Sequence, residues 1–497
     1  MTCNNIYPVV VVGNGPSAIY MSYILSGNIP YYDGETYGPT PDQRLDRLLR
    51  PYSLASNVKG KSLIDAVSDI ELINYIANGY ESFYSSMLPE NLLMDVLTAV
   101  DESGFISPAT KQSRIKWIHQ PRSAVEHIVL GSSPQPGGQW WGRNPDSDQD
   151  KSLSYSEMLS FPGYAFSDFY VETTGQVVAD FYRPTREEVA NYYAHYVSKV
   201  GIDKNFHNST VVQYIDSNFD DKVSICAVDT IRGIEKSYIA GSVILATGVF
   251  EKPLGRSQQF SFEELASLLT SCSMNSRPDS FTVVPPLCTP PCENPSTHGP
   301  CPTLVIGSGV SAADVIKANT QGNSIIHIYK WNSQNNQCPL RKFDQELYPE
   351  YHEVYRKMKF ATLKRETCVP DFFKDFEFKD DDYEGLANAE IFGLSPDGIV
   401  DIKLENGEKI TRRVGKIELR TGRSGSLDYL SPRIFKQRGS VTKDTFRSVL
   451  DHNSESTPLC IAKNVFIIGS LCGDTLVRFL HGSCLKVRKH IDEIIVA

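Results

Sequence analysis

The stretch Tyr7 to Ala18, Tyr-Pro-Val-Val-Val-Val-Gly-Asn-Gly-Pro-Ser-Ala, decides the fold. Val9 to Val12 form a short apolar β-branched run, as expected of a parallel strand that is buried on both faces. Gly13, Gly15 and Ala18 follow as G-x-G-x-x-A, and an apolar helical pattern comes next. The stretch therefore predicts a strand, a glycine-rich turn and a helix in direct succession.

Each small residue of this loop has a task in binding a dinucleotide. Gly13 permits the sharp turn out of the strand, Gly15 lets the backbone approach a pyrophosphate, and Ala18 lets the helix pack close to the sheet. Pro16 and Ser17 stand at the start of the helix, where free N–H groups and the helix dipole favour phosphate. Near the N-terminus of a chain this motif is typical of FAD-binding enzymes, so it predicts an FAD site.

Composition and charge narrow the class of protein. The 497 residues, 41% hydrophobic and 22% charged, suit a globular α/β enzyme of about two to four domains. A net charge of −10 argues against nucleic acid as the main ligand. The first residues lack a signal-peptide pattern, and no apolar stretch is long enough for a membrane span. The 11 cysteines are scattered, so we expect a reduced, cytoplasmic protein.

The next strand is predicted at Asn28 to Asp33 and ends in a carboxylate. Asp33 lies 20 residues after Gly13, where a dinucleotide fold places the acid that binds ribose hydroxyls. The alternative is an acidic turn residue in the pair Asp33-Gly34. Residues 38–112 then carry apolar residues at helical spacing, and they predict a helical insertion.

Two later segments of small residues also point to a cofactor. Gly137, Gly138 and Trp140 follow a short apolar strand as Gly-Gly-x-Trp. Paired glycines let the backbone lie against a cofactor, and the indole covers a ring system or the mouth of a pocket. The alternative is a Gly-Gly turn beside a core tryptophan. Downstream, a buried strand closes on Ala246-Thr247-Gly248, small residues that permit close contact with a flavin.

A second strand, glycine loop and helix come almost 300 residues after the first. Gly307, Gly309 and Ala312 repeat G-x-G-x-x-A, with Ser311 in the first helical turn. The following strand ends in Lys330, where an NAD site carries an acid. A cation there can bind a ribose 2′-phosphate, which favours NADPH over NADH. The alternative is an exposed lysine at a strand end.

Two cofactor loops in one chain predict a flavoprotein that is reduced by a nicotinamide. Near the C-terminus, a buried strand from Asn464 to Gly469 is followed by Gly473, Asp474 and a helix from about Thr475. In flavoproteins the aspartate of such a pair faces the ribityl chain, and the helix N-terminus stabilises negative charge on the flavin.

The Pro- and Ser-rich stretch between the two halves is predicted to be a solvated linker. It holds Cys288, Cys292 and Cys301, with His298 nearby. Their spacings do not fit the paired C-x-x-C or H-x-x-x-H patterns of zinc sites. No metal site is therefore predicted.

Several further segments strengthen a family resemblance that the glycine loops begin. They are Leu347-Tyr348-Pro349-Glu350-Tyr351-His352, Val477-Arg478-Phe479 and the loop Phe161-Pro162-Gly163-Tyr164. Over nearly its whole length the chain resembles the flavin-containing monooxygenase superfamily, and most closely the oxidative stress-induced growth inhibitor family within it. The resemblance implies a soluble fold that binds FAD and NADPH, and links to growth restraint, differentiation and oxidative stress.

The chain departs from that superfamily at three places. Flavin-containing monooxygenases carry F-x-G-x-x-x-H ahead of the second loop, and residues 250–301 contain no such pattern. They place an asparagine near the reactive edge of the flavin, where this chain has Leu153. Gly131 stands where some members keep the ribose carboxylate, so Asp33 has that role only if the insertion follows the second strand.

The predicted fold is α/β, with two Rossmann-like dinucleotide-binding domains. Its parts are the FAD-binding domain at 1–37 and 113–255, the insertion at 38–112, the linker at 256–300, the NADP-binding domain at 301–414 and a C-terminal return at 415–497. The predicted function is an NADPH-dependent monooxygenase of class B type, or an NADPH oxidase, with O₂ and a small molecule as substrates. The alternative is a catalytically weak flavoprotein that senses redox state and acts through protein partners. No catalytic side chain is assigned.

Overall fold

The structure, a computed structural model, divides the chain into two units. It describes residues 5–36, 38–54, 61–80, 88–98, 113–141, 151–217, 222–250, 252–253, 281–283, 301–318, 324–332, 338–343, 345, 348–365, 382–395, 398–436, 459–473 and 476–496. The first unit comprises Met1–Glu251 and Gly425–Ala497, and the second comprises Lys252–Ser424. Within the described residues, no helix has both the length and the apolar character that crossing a membrane requires.

The described residues form both β-strands and α-helices. The strands are β1 (Asn5–Val12), β2 (Asn28–Tyr32), β3 (Ile115–His119), β4 (His127–Leu130), β5 (Phe206–His207), β6 (Thr210–Ser217), β7 (Val223–Asp229), β8 (Ile234–Leu245), β9 (Lys252–Pro253), β10 (Phe281–Val283), β11 (Thr303–Ile306), β12 (Ile325–Tyr329), β13 (Tyr383–Ala387), β14 (Glu390–Leu394), β15 (Ile399–Lys403), β16 (Lys409–Arg413), β17 (Lys416–Leu419), β18 (Arg423–Ser424), β19 (Cys460–Ala462) and β20 (Val465–Ile467). The helices are α1 (Pro16–Leu25), α2 (Gln43–Leu49), α3 (Leu63–Ala66), α4 (Ile70–Gly79), α5 (Pro89–Leu97), α6 (Ser156–Leu159), α7 (Phe166–Thr174), α8 (Arg186–Lys199), α9 (Val310–Ala318), α10 (Pro349–Arg365), α11 (Pro432–Lys436) and α12 (His481–Val496).

β1 lies inside the parallel part of the first unit's sheet. The order is β19-β20-β8-β1-β4-β5, and all of these strands except β19 run parallel to their neighbours. Val12 of β1 aligns with Leu130 of β4 and Leu245 of β8, so three strands end together at one edge. Val9 to Val12 are buried, as predicted for a strand covered on both faces. β6, β7 and β8 form an antiparallel extension.

The chain leaves this sheet after α1 and returns to it only at β4. The N–H of Gln120 donates to the carbonyl oxygen of Gly27, and that of Val125 to the carbonyl oxygen of Leu25, both at 2.7 Å. We call the segment between α1 and β4 the excursion. Both of its ends therefore lie at the C-terminal end of α1. β2 and β3 pair antiparallel as a separate two-stranded sheet, with α2 to α5 between them in sequence. The predicted insertion at 38–112 thus lies between β2 and β3 in sequence, and its bounds stay a prediction.

Two buried arginines of the C-terminal segment hold the excursion in place. Arg478 makes a bidentate pair with Asp95 of α5, with N···O distances of 2.8 and 2.6 Å. Arg488 of α12 donates to the carbonyl oxygens of Ile24 and Ser123, at 2.8 and 2.5 Å. The last carbonyls of a helix have no partner within the helix, so Arg488 supplies one at the end of α1 and at the same time joins it to the returning chain.

The second unit repeats the parallel arrangement. Its sheet has the order β10-β17-β11-β12-β13, in which β17, β11, β12 and β13 run parallel. Helix α9 follows β11 and contacts α10. The antiparallel meander of β14, β15 and β16 shares an apolar core with this sheet. Both units therefore have parallel strands combined with helices, and the predicted α/β fold class is confirmed.

Two strands place the limits of the second unit differently from the sequence prediction. The return to the first unit is expected at residue 415, but β17 pairs in parallel with β11, and the first unit resumes at Gly425. β10 lies inside the predicted linker at 256–300 and pairs with β17. The rest of that linker, with Cys288, Cys292 and His298, lies outside the described residues.

Candidate functional site

The loop between β1 and α1 has the geometry that a pyrophosphate needs. Gly13 has a φ of +110°, and a Cβ on it would clash with the carbonyl oxygen of Ala246. Its N–H donates to the carbonyl oxygen of Leu130 at 2.7 Å. Gly15 is the N-cap residue and Pro16 begins α1, where no side chain of the described residues caps the helix. The first turn of α1 therefore offers its N–H groups to a ligand.

The Gly-Gly-x-Trp segment packs against this loop. The N–H of Gly137 donates to the carbonyl oxygen of Asn14 at 2.7 Å, and a Cβ on Gly138 would lie 2.7 Å from Cα of Gly15. Both glycines have positive φ values, +128° and +60°. Trp140 Nε1 is buried and has no hydrogen-bond partner in the described part of the chain. The structure thus brings the two predicted segments together.

The segment after β8 completes this edge of the sheet. The N–H of Ala246 donates to the carbonyl oxygen of Val12 at 2.7 Å, which aligns the strand ends. Thr247 Oγ1 lies 3.0 Å from the hydroxyl oxygen of Tyr429. Gly248 turns the chain with a φ of +72°. The predicted tripeptide is therefore adjacent to the β1–α1 loop.

The turn after β20 also reaches the first loop. Gly469 has a φ of +68°, and a Cβ on it would clash with Ser17 Oγ of α1. Gly473 has a φ of +100° and ends the following helical turn. Asp474, the predicted partner of a ribityl chain, lies outside the described residues.

Helix α12 begins later than the sequence predicts, and its start is covered. It runs from His481 rather than from about Thr475. The N–H of Ser483 donates to Asn91 Oδ1 of α5 at 2.8 Å, and Lys486 forms an ion pair with Glu90. Asn91 of α5 therefore caps one N–H in the first turn of α12. The predicted stabilisation of a flavin by this helix N-terminus stays a prediction.

Asp33 does not follow a strand that neighbours β1. β2 pairs with β3, whereas the parallel neighbour of β1 on that side is β4. The Asp33 carboxylate accepts the N–H of Thr36 at 3.0 Å. Burial raises the pKa of Asp33, but hydrogen bonds from Thr36 and Glu35 and the charge of Lys116 together leave the pKa below its usual value. The structure therefore corrects the predicted ribose contact and agrees with the alternative, an acidic turn residue.

Asn14 occupies the space beside Gly131, the residue that follows β4. A Cβ on Gly131 would clash with the Asn14 side chain. Asn14 Nδ2 lies 3.0 Å from the carbonyl oxygen of Ser133, 3.1 Å from that of Gln135 and 2.9 Å from Asn208 Oδ1. Sequence reasoning did not single out Asn14, although a polar residue between the two loop glycines was the available signal.

A buried aromatic cluster joins α1 to α12. Tyr20 stacks on His481 with ring centroids 4.4 Å apart, and Phe161 lies 5.7 and 6.3 Å from these two rings. Tyr20 Oη and His481 Nε2 are buried without a hydrogen-bond partner among the described residues. Burial and the nearby Arg478 lower the pKa of His481 to about 3, so its imidazole is neutral. Together with Trp140 Nε1, these atoms are three buried polar groups of the first unit that have no hydrogen-bond partner among the described residues.

The loop between β11 and α9 forms the candidate site of the second unit. Gly307 has a φ of +147°, and a Cβ on it would clash with the carbonyl oxygen of Arg420. His327 supports the loop, since its Nε2 lies 2.7 Å from the carbonyl oxygen of Gly307 and its Nδ1 2.8 Å from Tyr383 Oη. Burial lowers the pKa of His327 to about 4, which keeps this support neutral.

The remaining predicted residues of the second loop lie around the start of α9. Gly309 has open space at the position of a Cβ, Ser311 is exposed and Ala312 is buried against the sheet. Lys330 is exposed at the end of β12, and its N–H donates to Ser308 Oγ at 2.8 Å. The exposed position of Lys330 agrees equally with a phosphate ligand and with a surface lysine.

Comparison with known proteins relates the chain to curated human proteins. No family model matches it. Oxidative stress-induced growth inhibitor 2 of Homo sapiens is 25% identical over 524 residues, and the match covers 97% of this chain and 92% of that protein. Oxidative stress-induced growth inhibitor 1 of Homo sapiens is 26% identical over 511 residues, with coverage of 97% and 94%.

Solved structures match along most of the chain at low identity. The flavin-containing monooxygenase from Stenotrophomonas maltophilia has a TM-score of 0.49 at 13% identity and covers 99% of both chains. Ornithine hydroxylase from Pseudomonas aeruginosa has a TM-score of 0.49 at 10% identity, with coverage of 99% and 100%. The fold assignment rests on the strand pairing of the two sheets, and the similarity to named proteins rests on the two human sequences. Over nearly its whole length, the chain is similar in sequence to the oxidative stress-induced growth inhibitors 1 and 2 of Homo sapiens.

Proposed function

We propose that this protein binds FAD in its first unit and NADPH in its second, and that it works as an NADPH-dependent flavin oxidoreductase. The observation that carries the proposal is the meeting of the glycine-containing segments at one edge of the first sheet, beside buried polar atoms that lack a partner among the described residues. Buried polar groups in proteins are almost always hydrogen-bonded, so such atoms indicate a missing ligand.

The residues of the first unit fit FAD. The backbone at Gly15 and Gly138, together with the start of α1, suits a pyrophosphate. Trp140 Nε1, Tyr20 Oη and His481 Nε2 suit a ring system whose edge carries carbonyl and N–H groups. When bound, FAD would accept a hydride from NADPH and pass electrons to O₂.

The aromatic cluster would keep water away from the bound ring. Tyr193 lies 5.2 Å from Phe161 and 6.4 Å from Trp140, measured between ring centroids. Burial raises the pKa of Tyr193 and of Tyr20, so both phenols stay protonated at neutral pH. The neutral His481 can hydrogen-bond to a ligand without adding positive charge. A dry site of this kind would strengthen the electrostatic interactions of a bound ligand and limit side reactions with water.

Two observations favour the second candidate, a regulatory flavoprotein with little turnover. By its resemblance to flavin-containing monooxygenases the chain has Leu153 where those enzymes have an asparagine near the flavin, and Asn91 caps an N–H in the first turn of α12. Such a protein would bind both cofactors and act through protein partners. We place either form in the cytoplasm, since the 11 cysteines of the sequence are scattered along the chain, as in proteins of a reducing compartment.

The test is a flavin absorbance spectrum of the purified full chain, recorded with and without NADPH under anaerobic conditions. A bound flavin that NADPH bleaches supports the proposal, and a colourless protein that takes up no FAD refutes it. NADPH consumption and H₂O₂ release under air then separate the candidates. Steady consumption supports the oxidoreductase, whereas a single reduction without turnover supports the regulatory form. An H₂O₂ yield close to the NADPH consumed would indicate an oxidase rather than a monooxygenase.

A further inference from the structure

Strand β17 carries a row of charged residues on one face of the second unit's sheet. Ile417 belongs to the apolar core on one face, so Lys416 and Glu418, at alternate positions, lie on the other. Arg420 follows at the next alternate position. The row therefore lies on the face opposite the meander of β14 to β16, which shares the core of Ile417.

Helices cover the face of the sheet that carries Lys416, Glu418 and Arg420. The strand register aligns Glu418 with Val305 of β11, and Val305 with His327 of β12. Tyr329, two residues after His327, donates its hydroxyl to the carbonyl oxygen of Met358 in α10 at 2.7 Å. Because α9 contacts both α10 and β17, the row lies on the side of the sheet where α9 begins.

Glu418 holds Arg420 in a fixed position. Its side chain is 3% exposed, and its two oxygens bind Lys416 Nζ at 2.7 Å and Arg420 Nη2 at 2.9 Å. A buried carboxylate that is shared by two cations leaves a net charge of about +1 on the group. Arg420 is therefore both oriented and only partly neutralised.

Arg420 lies directly beside the second glycine loop. Its N–H donates to the carbonyl oxygen of Ile306 at 2.7 Å, and a Cβ on Gly307 would lie 3.3 Å from Cβ of Arg420. Among the described residues, Nε of Arg420 is buried without a hydrogen-bond partner, and Nη1 makes no hydrogen bond. The side chain remains 23% exposed. Donors of this guanidinium are thus left unused on a residue whose backbone and Cβ lie beside Gly307.

We propose that Arg420 is an anion-binding residue of the second nucleotide site, which donates to the pyrophosphate placed on the Gly307–Ala312 loop, and that Glu418 is its positioning residue. This inference rests on the proposed second nucleotide site. The planar guanidinium can bind two phosphate oxygens at once, and it acts together with the N–H groups at the start of α9. A pyrophosphate is common to NAD⁺ and NADP⁺. Arg420 therefore sets affinity for both, whereas Lys330 would set the preference between them.

The test is calorimetric titration of the purified holoprotein with NADP⁺, NAD⁺ and 2′-AMP, which has no pyrophosphate. Arg420→Ala should weaken NADP⁺ and NAD⁺ about tenfold to a hundredfold alike and leave 2′-AMP unchanged. Lys416→Ala is the matched control, because it removes the other cation from Glu418 and should leave all three affinities as they are. Arg420→Lys should recover part of the loss, and Glu418→Gln should weaken both dinucleotides less than Arg420→Ala.

The outcomes separate this inference from the proposed function. If the unchanged protein binds neither dinucleotide, the proposed second nucleotide site is wrong. If it binds them and Arg420→Ala binds equally well, only the role of Arg420 is refuted. An equal loss in Lys416→Ala and Arg420→Ala, or a loss of 2′-AMP binding as well, would also refute it. Should Arg420→Ala not fold, Arg420→Gln retains a donor for Glu418 and makes the same comparison.

Discussion

Replacement of Gly15 by valine should remove FAD without unfolding the protein. Gly15 has φ −79° and ψ −175°, an extended conformation that valine adopts readily, and the nearest atom to an added Cβ is Cα of Gly138 at 3.9 Å. We therefore expect the free energy of unfolding of the apoprotein to change by no more than about 1 kcal/mol. The added side chain would instead occupy the space through which a pyrophosphate approaches.

Gly13→Ala is the contrasting variant in the same loop. At a φ of +110° a non-glycine residue costs about 1–3 kcal/mol, and the new Cβ would also clash with the carbonyl oxygen of Ala246. This variant should lose both stability and flavin. The pair therefore distinguishes a glycine that the fold needs from a glycine that the ligand needs.

Thermal unfolding with and without added FAD measures both effects. FAD at about 100 times its Kd should stabilise the unchanged protein by about 2.7 kcal/mol, and Gly15→Val should show no such gain. Its apoprotein should melt within a few degrees of the unchanged apoprotein. A Gly15→Val protein that retains yellow colour and a full FAD-induced shift would show that the pyrophosphate does not lie on this loop.

Three further predictions concern the second site, a buried ion pair and the histidines. Lys330→Ala should weaken NADPH about tenfold to a hundredfold and leave NADH nearly unchanged in binding titrations; an equal fall in both would make Lys330 structural. Arg478→Met should lower the free energy of unfolding by about 3–5 kcal/mol, because it strands the buried Asp95, and adding Asp95→Leu should recover part of this in urea unfolding. If Asp95→Leu recovers no stability, the ion pair with Asp95 is not the source of the stability that Arg478 contributes. Burial lowers the pKa of His127 and of His327 to about 4, so the folded protein binds fewer protons than the unfolded chain between about pH 4 and 6.5. Stability should therefore fall as the pH drops below about 6.5, by up to about 1.4 kcal/mol per pH unit for each histidine, and urea midpoints at pH 7 and pH 5 that coincide would contradict this.

The sequence predicts those parts of the site that are determined by residues close together in the chain. Gly13 and Gly307 were recognisable because a strand, a turn and a helix follow one another within a few residues, and each step leaves its own pattern. The structure confirms the fold class and places the glycine loops at strand ends. It also brings Gly138 against Gly15, a contact that the sequence does not predict, because the Gly-Gly-x-Trp pattern indicates close approach of the backbone to a cofactor.

Asp33 shows that the order of strands in a sheet cannot be predicted from neighbouring residues alone. The residue has the right spacing from Gly13 and follows a strand, but its strand pairs with β3. Which strand lies next to β1 depends on a contact between residues more than 100 positions apart, and nothing near Asp33 carries that information. The same holds for Asn91, which caps α12 from the excursion, and for Arg420, whose place beside Gly307 follows from strand pairing alone.

The excursion begins and ends at the C-terminal end of α1, so it has the form of a segment inserted into an α/β fold. A short linker from Gly27 to Ala124 would preserve the order of the parallel sheet, which suggests a deletable module. Its inner contacts argue the opposite. Removal of α5 would leave Arg478 without its carboxylate and expose the first turn of α12. The excursion therefore stabilises the rest of the first unit. A chain without it would need a new partner for Arg478 before it could fold.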